Sequence, residues 1–364
     1  MLDARRAHPA AARRHAESYC DRVARFFAAL IVLATGALLL AVFWPQLLGL
    51  QRAPVFAQAV SLRGAGAAVA LVTALILTVV ALLAAPARRF LGSLALLLLA
   101  FTVANVAVLT DRGFGSPGFE TATDADITVL SWNTLGDAVS TDAIAQLAVE
   151  TGADVVALPE TTEQLADDVA AAARRQGLPL SAHTVAYDQV AKARSTSILI
   201  SEDLGPYVFT GDATTSVLPS VVATSTTGGP TLVAVHAVAP IPSEIMNWRS
   251  DLFTLQSLCQ NPNVILAGDF NSTLDAFAGL GGTVTLPDGR IVSTDLGSCR
   301  DAAEQTGSAA VGTWPTAIPA ILGTPIDHVL ASTNWRVSGF RVVGDRDGAG
   351  SDHRPVLAQL TPAV

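Results

Sequence analysis

Cysteine is scarce in this sequence, with three residues in 364, so at most one disulfide pair can form within a single chain. Two common active-site motifs are also missing. No serine stands in a G-x-S-x-G context, which is the usual setting of an esterase nucleophile, and no glycine-rich loop leads into a lysine as in a P-loop. These absences argue against serine-esterase and P-loop chemistry.

Basic residues are few in the larger part of the chain. Residues 1–110 contain ten of the 22 Lys and Arg residues and three of the 31 acidic residues, a net charge of +7, which leaves −16 for the remainder. An acidic surface repels polyanions, and tight non-specific binding of duplex DNA needs a basic surface. Tight non-specific binding of duplex DNA by the C-terminal part is therefore not expected.

Long apolar runs fill most of the first 110 residues. Three of them contain 19 or 20 residues without a charge, enough at about 1.5 Å per residue to cross a hydrocarbon core of about 30 Å. Three consecutive runs argue against buried globular helices, and the first run has no small-residue cleavage site of a signal peptide. The sequence predicts three transmembrane helices, at 26–44, 66–85 and 91–109.

The distribution of arginines predicts how these spans are oriented. Six arginines precede the first run, whereas two lie in the following loop. The positive-inside rule then makes residues 1–25 a basic cytoplasmic tail and places everything after Leu109 outside the cytoplasm. Cys259 and Cys299 would lie in an oxidising compartment, where a disulfide is favoured, with two buried free thiols as the alternative.

The remaining residues predict a linker followed by a layered α/β domain. Residues 110–125 are rich in Gly, Pro, Thr and Asp, as in a linker. Within 126–364, short apolar runs such as "ITVLSWN", "DVVALPE", "TLVAVHA" and "RPVLAQL" alternate with helical patterns. One pattern, "TDAIAQLAVETG", has a predicted cap at Thr141 and ends at Gly152. Alternating strands and helices favour an α/β over an all-β architecture.

The stretch "VILAGDFNST" ends a predicted strand with a carboxylate and an amide two residues apart, at Asp269 and Asn271. Because side chains alternate along an extended chain, both are expected on one face, while Phe270 points into the core. Gly268 would permit a bend or a close approach of another backbone. A simple strand-to-turn junction explains the same residues when they are taken alone.

Polar side chains gather at the ends of other predicted strands as well. Those beyond Asp269 and Asn271 are Asn133, Glu160, His236, Asp327, His328, Ser351, Asp352 and His353. Each has an ordinary explanation as a turn, cap or core residue, but turn chemistry alone rarely produces the whole set. Strand ends are where the loops of a layered α/β protein build a site.

The residue types narrow the chemistry of such a site. Carboxylate and amide oxygens with few soft ligands suit Mg²⁺, Mn²⁺ or Ca²⁺ better than structural zinc. Histidines beside acids and a hard metal indicate hydrolysis of a phosphate ester. In that reaction the metal offsets charge on the phosphoryl oxygens, an acid activates water, and a histidine stabilises the transition state.

These motifs resemble, in order, those of the endonuclease/exonuclease/phosphatase superfamily of nucleases, phosphatases and sphingomyelinases. The resemblance covers about Asp126 to Leu360 and rests on "LSWNTL", "ALPE", "VHAVAP", "GDFNS", "IDHVL" and "SDHRPV". It implies a four-layer α/β sandwich, with two mixed β-sheets face to face and helices outside, here preceded by three transmembrane helices. It also implies that the segments of Cys259 and Cys299 pack near one another on the outer face of one sheet, which makes their disulfide feasible.

The resemblance implies a role for each residue of the site. Glu160 would be the principal ligand of a divalent metal, with Asn133 and Asp352 near the same ion. His236 and Asn271 would bind the scissile phosphate, and Asp269 would activate or align the attacking water. Asp327 would orient His353, the acid/base or phosphate-stabilising group.

Two departures bear on the substrate. Many nucleases of this family have Gln where this chain has Pro159, and they carry basic loops. Only four basic residues lie between Glu160 and His236, namely Arg174, Arg175, Lys192 and Arg194. The sequence therefore predicts a membrane-anchored, divalent-metal phosphodiesterase or phosphatase acting on a lipid head group, a small phosphoester or a nucleotide. An extracytoplasmic nuclease is the alternative, and a catalytically inactive binding module is less favoured.

Overall fold

A computed structural model of the chain describes residues 9–115, 118–187, 190–209, 215–286 and 288–363, with side chains from residue 22 onward. Its N-terminal part consists of helices α1 (Pro9–Phe43), α2 (Phe56–Ser61), α3 (Arg63–Leu83) and α4 (Arg88–Arg112). Within the residues that the structure describes, three segments are long and apolar enough to cross a membrane, Arg22–Phe43, Arg63–Leu83 and Ala85–Arg112. They contain most of the three predicted runs, and α4 extends three residues into the predicted linker.

The described residues of the C-terminal part form fourteen strands and five further α-helices. The strands are β1 (Ile127–Ser131), β2 (Val155–Pro159), β3 (Leu180–Ala186), β4 (Ser195–Ser201), β5 (Tyr207–Phe209), β6 (Val221–Ser225), β7 (Thr231–His236), β8 (Val264–Asp269), β9 (Thr283–Thr285), β10 (Ile291–Ser293), β11 (Cys299–Asp301), β12 (Asp327–Ser332), β13 (Trp335–Val342) and β14 (Val356–Pro362). The helices are α5 (Thr141–Thr151), α6 (Glu163–Arg175), α7 (Ile245–Leu258), α8 (Leu274–Phe277) and α9 (Ala302–Gln305).

Two six-stranded sheets carry this part of the chain. Their strand orders are β13-β14-β1-β2-β4-β3 and β11-β12-β8-β7-β6-β5, and β9 pairs with β10 in a small separate sheet. Strands β1 and β2 pair in parallel, as do β7 and β8, while neighbouring pairs are antiparallel. Both large sheets are therefore mixed, as predicted.

Side chains from the inner faces of the two sheets form one buried core. Val129, Ile198 and Ala358 of the first sheet belong to the same apolar cluster as Ile265 and Val329 of the second. On the outer faces, α5 and α6 cover the first sheet and α7 covers the second, each through a further buried cluster. The layer order helix, sheet, sheet, helix confirms the predicted four-layer sandwich.

Local capping explains where the helices begin and end. The first turn of α5 is capped by Ser140, whose hydroxyl accepts a hydrogen bond from the N–H of Ala143, so the predicted cap at Thr141 is wrong by one residue. The helix ends at Gly152, which has φ +58° as predicted for a left-handed cap. In α6, Thr162 caps the first turn through the N–H of Leu165.

The C-terminal part rests directly on the ends of the long helices. Asp275, in α8, is 2% exposed and accepts hydrogen bonds from Arg63 Nη2 at 2.7 Å, Arg112 Nη1 at 2.8 Å and Gln46 Nε2 at 2.9 Å. Arg63 is the first residue of α3, and its Nη2 also donates to the carbonyl oxygen of Phe43 at 3.1 Å. A single buried carboxylate thus ties together α3, α4 and α8.

A disulfide joins Cys259 and Cys299 with a Cα–Cα distance of 5.5 Å. Cys259 caps the C-terminus of α7, and Cys299 begins the edge strand β11. Both residues are fully buried in the cluster beneath α7. The bond therefore fastens the helix that covers the second sheet to the edge of that sheet.

Candidate active site

The second sheet brings three of the predicted site residues to one edge. Asp269 ends β8 and lies opposite His236, which ends the parallel strand β7. On its other side Asp269 lies opposite Asp327, which begins the antiparallel strand β12. The end of a strand and the start of its antiparallel neighbour meet at the same edge, so the register places all three side chains there.

The first sheet contributes at the corresponding edge. Asn133 and Glu160 follow the parallel strands β1 and β2, and His353 precedes β14, which is antiparallel to β1. Asn133 connects the two sheets directly. Its Nδ2 donates to Glu160 Oε1 and to Asp269 Oδ2, both at 3.1 Å.

Asp269 lies at the centre of this arrangement and is 1% exposed. Its Oδ1 accepts from the backbone N–H of Asn271 at 2.8 Å, and its Oδ2 accepts from the Asn271 amide at 3.1 Å. Burial raises the pKa of Asp269, an effect that the neighbouring His353 partly offsets. The carboxyl is thus held in a fixed orientation with increased proton affinity.

Gly268 is required by a close backbone approach beside this carboxylate. Its φ is +152°, and a β-carbon at this position would lie 2.0 Å from the carbonyl oxygen of Val235 in β7. No other residue type fits that space without displacing a strand. The glycine of the "GDFN" motif therefore sets the spacing between β7 and β8 at their functional ends.

Glu160 and Asn271 both adopt left-handed backbone conformations, with φ of +58° and +44°. Such conformations are unfavourable for residues with side chains and concentrate at functional sites. The left-handed backbone of Glu160 turns its side chain toward the edge where the two sheets meet. Its Oε1 lies 3.9 Å from His236 Nε2. Burial raises the pKa of Glu160, while the hydrogen bond from Asn133 opposes that rise.

His353 and Asp327 form a buried pair. The distance from His353 Nδ1 to Asp327 Oδ2 is 2.9 Å, and His353 Nε2 lies 3.9 Å from both Asp269 Oδ2 and Asp352 Oδ1. Burial by itself lowers the pKa of His353, but the charges of Asp327 and Asp269 outweigh it and raise that pKa to about 10. The imidazole is therefore cationic at neutral pH.

His236 has the opposite electrostatic character. Its ring is buried, with Nδ1 3.3 Å from Thr196 Oγ1, and its backbone N–H donates to Ser220 Oγ at 3.0 Å. Burial, reinforced by the charge of His353, lowers the pKa of His236 to about 3. One neutral and one cationic imidazole thus face the same space.

Asp352 borders the site next to His353, and its side chain is the most exposed of the four site carboxylates described above. Its Oδ2 accepts a hydrogen bond from Trp314 Nε1 at 2.8 Å, whereas its buried Oδ1 has no hydrogen-bond partner in the described part of the chain. Asp327 Oδ1 is buried and unpartnered in the same way. Unpartnered buried carboxylate oxygens are costly unless a cation or donor satisfies them.

These donors fit a hard divalent cation. Asp269, Asp327 and His353 each have a potential ligand atom, and these atoms all lie within 4.8 Å of one another, although His353 can bind a cation only in its neutral form. The set predicted from the sequence is different, since Asn133, Glu160 and Asp352 were expected to hold the metal. Oxygen donors dominate both sets, as Mg²⁺, Mn²⁺ and Ca²⁺ require.

A cavity of about 570 Å³ opens over these groups. Six of the predicted residues line it: Glu160, His236, Asp269, Asn271, Asp352 and His353. Asn133 and Asp327 lie just beneath, each hydrogen-bonded to one or more of those six. All eight predicted site residues are therefore together at one edge of the sandwich.

Several supporting residues had no predicted role. Trp314 binds Asp352, and Thr313 Oγ1 accepts from the backbone N–H of Asp327 at 3.2 Å. Ser351 Oγ donates to the carbonyl oxygen of Asn133 at 2.6 Å and so links β1 to the loop before β14. Ser351 lies within the "SDHRPV" motif, whereas Thr313 and Trp314 lie in a loop without a recognisable pattern.

His328 has a structural position behind the site. It is buried, with Nδ1 2.7 Å from Asp301 Oδ2 and Nε2 2.8 Å from the carbonyl oxygen of Ser272. Ser272 directly follows Asn271, so His328 fixes the loop after β8. The neighbouring residues Asp327 and His328 alternate along β12 and serve opposite faces of the sheet.

Comparison with known proteins identifies the class. A family model described as the endonuclease/exonuclease/phosphatase family matches residues 130–353, which is more than half of the chain. The chain belongs to this family, whose members are metal-dependent phosphoester hydrolases. No curated protein sequence matches the chain significantly.

Solved structures with a similar fold come from several organisms. An endonuclease/exonuclease/phosphatase from Beutenbergia cavernae is 18% identical, with 66% of this chain and 72% of that chain covered and a TM-score of 0.46. TDP2 from C. elegans is 18% identical, with 66% and 77% covered and a TM-score of 0.47. D. rerio TDP2, solved in complex with a single-strand DNA product, is 17% identical, with 65% and 99% covered and a TM-score of 0.48.

Proposed function

We propose that this protein is a membrane-anchored phosphodiesterase or phosphatase that hydrolyses a phosphate ester with the help of a divalent cation. One observation carries the proposal: Asn133 Nδ2 bridges Glu160 and Asp269, and so joins the functional edges of both sheets around one carboxylate-rich centre. Membership of a family of metal-dependent phosphoester hydrolases supports the same chemistry.

Glu160, Asn133 and Asp352 are the proposed ligands of the cation, with Mg²⁺ as the first candidate and Mn²⁺ or Ca²⁺ as alternatives. The unpartnered Oδ1 of Asp352 and the raised pKa of Glu160 support this choice. A nearby cation would satisfy the unpartnered oxygen and would stabilise the charged form of the buried Glu160. Asn133 Oδ1 accepts a hydrogen bond from the Leu135 N–H at 3.0 Å and keeps one lone pair free. When bound, the cation would offset negative charge on the phosphoryl oxygens.

The chain's own groups supply the acid and the base. Asp269 is proposed to take a proton from the attacking water, for which its raised pKa provides base strength. The cationic His353, oriented by Asp327, stabilises charge on the phosphate or donates a proton to the leaving oxygen. The neutral His236 contacts the phosphate as a hydrogen-bond donor.

Asn271 has a narrower role than the family resemblance implies. Its amide group donates to the carbonyl oxygen of Ala237 at 2.9 Å and to Asp269 at 3.1 Å, which uses both of its N–H groups. In this conformation Asn271 positions Asp269. It can contact the phosphate only if one of these bonds is exchanged.

Hydrolysis of bis(p-nitrophenyl) phosphate and p-nitrophenyl phosphate by the full chain in detergent tests the proposal. We expect turnover with Mg²⁺ and none with a chelator, and a loss of about 100-fold or more in Glu160→Gln. Isothermal titration of Mg²⁺ provides a second readout, since Glu160→Gln should also weaken binding of the cation. Glu163→Gln, an exposed acid three residues further on, is the matched control. Full activity of Glu160→Gln would remove this residue from the site.

A nuclease is the second candidate, because the family includes endonucleases and exonucleases by name. The net charge of −16 after residue 110 opposes it. Plasmid and single-stranded DNA belong in the same substrate panel. A rate on DNA well above that on every other phosphoester would make the nuclease the better assignment.

The proposed location is the cell membrane, with the tail in the cytoplasm and the catalytic part outside it. The arginine asymmetry around the first long helix supports this orientation. Protease added to spheroplasts of a bacterial expression host should digest the part after Leu109 and spare the tail. Protection of the catalytic part until lysis would reverse the orientation.

A further inference from the structure

Part of the active-site cavity is built by the segment that connects the first two long helices. Gln58, Ser61 and Leu62 line the cavity together with Glu160 and His353. These three residues lie on α2 and immediately before α3. The proposed membrane anchor thus contributes part of the wall of the active-site cavity.

This segment is fixed to the catalytic part by several polar contacts. Arg52 Nη1 donates to the carbonyl oxygens of Ala276 at 2.7 Å and Ala278 at 3.0 Å. Arg249 Nε in turn donates to the carbonyl oxygen of Arg52 at 2.7 Å, and Gln58 donates to that of Pro240. These hydrogen bonds hold the connecting segment in place as one wall of the cavity.

The cavity also lies at the end of a helix long enough to span a membrane. Leu62 in the cavity wall directly precedes Arg63, the first residue of α3. Gly64 is packed so closely that an added β-carbon would lie 2.5 Å from the carbonyl oxygen of Ile321. Ile321 belongs to the loop that carries Trp314 and Ile326, two further residues of the cavity. The same cavity therefore borders both the catalytic groups and the end of a helix long enough to span a membrane.

Away from the catalytic groups, most of the cavity wall is aliphatic. Its aliphatic side chains include Leu62, Leu135, Leu218, Val238, Ile241 and Ile326, and its polar ones include Gln58, Ser61 and Thr324. Leu62, Leu135 and Ile241 remain 38%, 43% and 50% exposed, so apolar surface is left uncovered at the opening. A small polar phosphoester gains nothing from such a wall, whereas an alkyl chain does.

The same lining does not suit a nucleic acid strand. Apart from the imidazoles of His236 and His353, the cavity's described lining residues include one aromatic side chain, Trp314, and neither lysine nor arginine. Binding of single strands relies on basic grooves and on aromatic surfaces for base stacking. The composition of the wall therefore favours a lipid over a polynucleotide.

We infer that the substrate is a membrane-embedded phosphate ester with a long hydrocarbon chain. Its phosphate would lie among Glu160, Asp269 and His353, and its chain would leave along Leu62 and Ile241 toward the bilayer beside α3. This inference rests on the proposed function and narrows its substrate class. It also gives the helices a second role, because they form the route by which the substrate enters.

The test compares long-chain phospholipids with their own deacylated, water-soluble head groups, using the full chain in nanodiscs with Mg²⁺. We expect each hydrolysed phospholipid to be turned over at least about tenfold faster than its soluble head group. Leu62→Gln and Ile241→Gln should lower this ratio by about tenfold, because a polar amide replaces an aliphatic wall. Leu48→Gln is the matched control, a 60% exposed leucine of the same connecting segment that does not line the cavity.

Binding provides a readout that does not depend on turnover. With chelator present, a fluorescent phospholipid in detergent micelles should bind the wild type and the Leu48→Gln variant equally, and Leu62→Gln about tenfold more weakly. Hydrolysis of soluble phosphodiesters without preference for long chains would overturn the lipid inference and leave the proposed function intact. Lipid binding that depends on Leu62, without hydrolysis of any phosphoester, would support the lipid site and overturn the enzymatic proposal. Equal lipid binding by the wild type and Leu62→Gln would overturn the inference directly.

Discussion

The 2.9 Å contact between His353 Nδ1 and Asp327 Oδ2 joins the first sheet to the second across the candidate site. Burial lowers the pKa of His353, but the charge of Asp327 helps to raise it by more, and this keeps the imidazole cationic. Replacement of Asp327 by Asn should therefore remove the negative charge that stabilises the cationic imidazole and weaken the hydrogen bond that orients it. We expect a fall in kcat of about 100-fold on a phosphodiester, in the range of general acid–base effects.

A double-mutant cycle tests whether the two residues act as a unit. Asp327→Asn, His353→Ala and the double variant should all lose similar activity, because removing either partner disables the pair. Circular dichroism and thermal unfolding serve as controls for folding. Losses that multiply in the double variant would show that Asp327 and His353 act independently.

Gly268 should tolerate no side chain. A β-carbon there would meet the carbonyl oxygen of Val235 at 2.0 Å, and the φ of +152° is unfavourable for any other residue. We expect Gly268→Ala to lower the free energy of unfolding by more than about 3 kcal/mol, as at other strained positions. Gly282→Ala is the control, since no atom lies within 4 Å of its would-be β-carbon. A Gly268→Ala variant with the melting temperature of the wild type would contradict the close approach.

The buried Asp275 should make the free energy of unfolding decrease as the pH falls into the acid range. Burial would raise its pKa, but hydrogen bonds from Arg63 and Arg112 outweigh this and hold the pKa well below its usual range. A carboxyl with a depressed folded-state pKa stabilises the protein above its unfolded pKa, about 3.9, and loses that contribution as pH falls further. We expect Asp275→Asn to cost about 3–5 kcal/mol at neutral pH, because it leaves two arginines without their anion.

Thermal unfolding in detergent at a series of pH values checks this expectation. The difference in Tm between wild type and Asp275→Asn should be constant above about pH 5 and narrow below pH 4. Asp288→Asn, an exposed acid of the same part of the chain, provides the comparison. A difference that is constant down to acid pH would exclude a depressed pKa at Asp275.

The disulfide between Cys259 and Cys299 should stabilise the covering helix of the second sheet. The 40-residue separation of the two cysteines corresponds to about 3–4 kcal/mol on the chain-entropy model. Mass spectrometry of the non-reduced, alkylated protein should find one peptide pair joined at these positions. Cys259→Ser combined with Cys299→Ser should lower the melting temperature, and two freely alkylated thiols would contradict the bond.

Much of the architecture could be predicted because the local patterns agree with the fold. Apolar runs bounded by turn residues predicted strands that correspond to β1, β2, β7, β8 and β14. Edge strands such as β3 and β11 were not predicted, since their mixed sequences owe their strand conformation to pairing with a neighbour. The cap of α5 at Ser140 was misplaced because Ser140 and the adjacent Thr141 are both residue types that cap helices.

The site residues could be predicted because they lie at the ends of recognisable strands. Their hydrogen-bond partners in the folded protein could not be predicted from the sequence. Asp269 and Asn271 follow a recognisable strand, and period-two alternation predicts that both face one side. The bridge from Asn133 to Glu160 and Asp269 depends on how two sheets face each other, which no local pattern specifies. The same holds for Trp314, whose bond to Asp352 joins loops 38 residues apart.

By itself, the sequence determined the chemical character of the protein: three long apolar runs, an acidic remainder, and oxygen and imidazole groups at strand ends. These are properties of residue type and spacing, which the chain fixes locally. Only the tertiary structure decided that the segment after the first long helix lines the active-site cavity and that Asp275 links α3, α4 and α8. Such arrangements bring together residues separated by up to 295 positions, as for Gln58 and His353 in the cavity. They follow from packing of the whole chain and leave no periodic trace in the sequence.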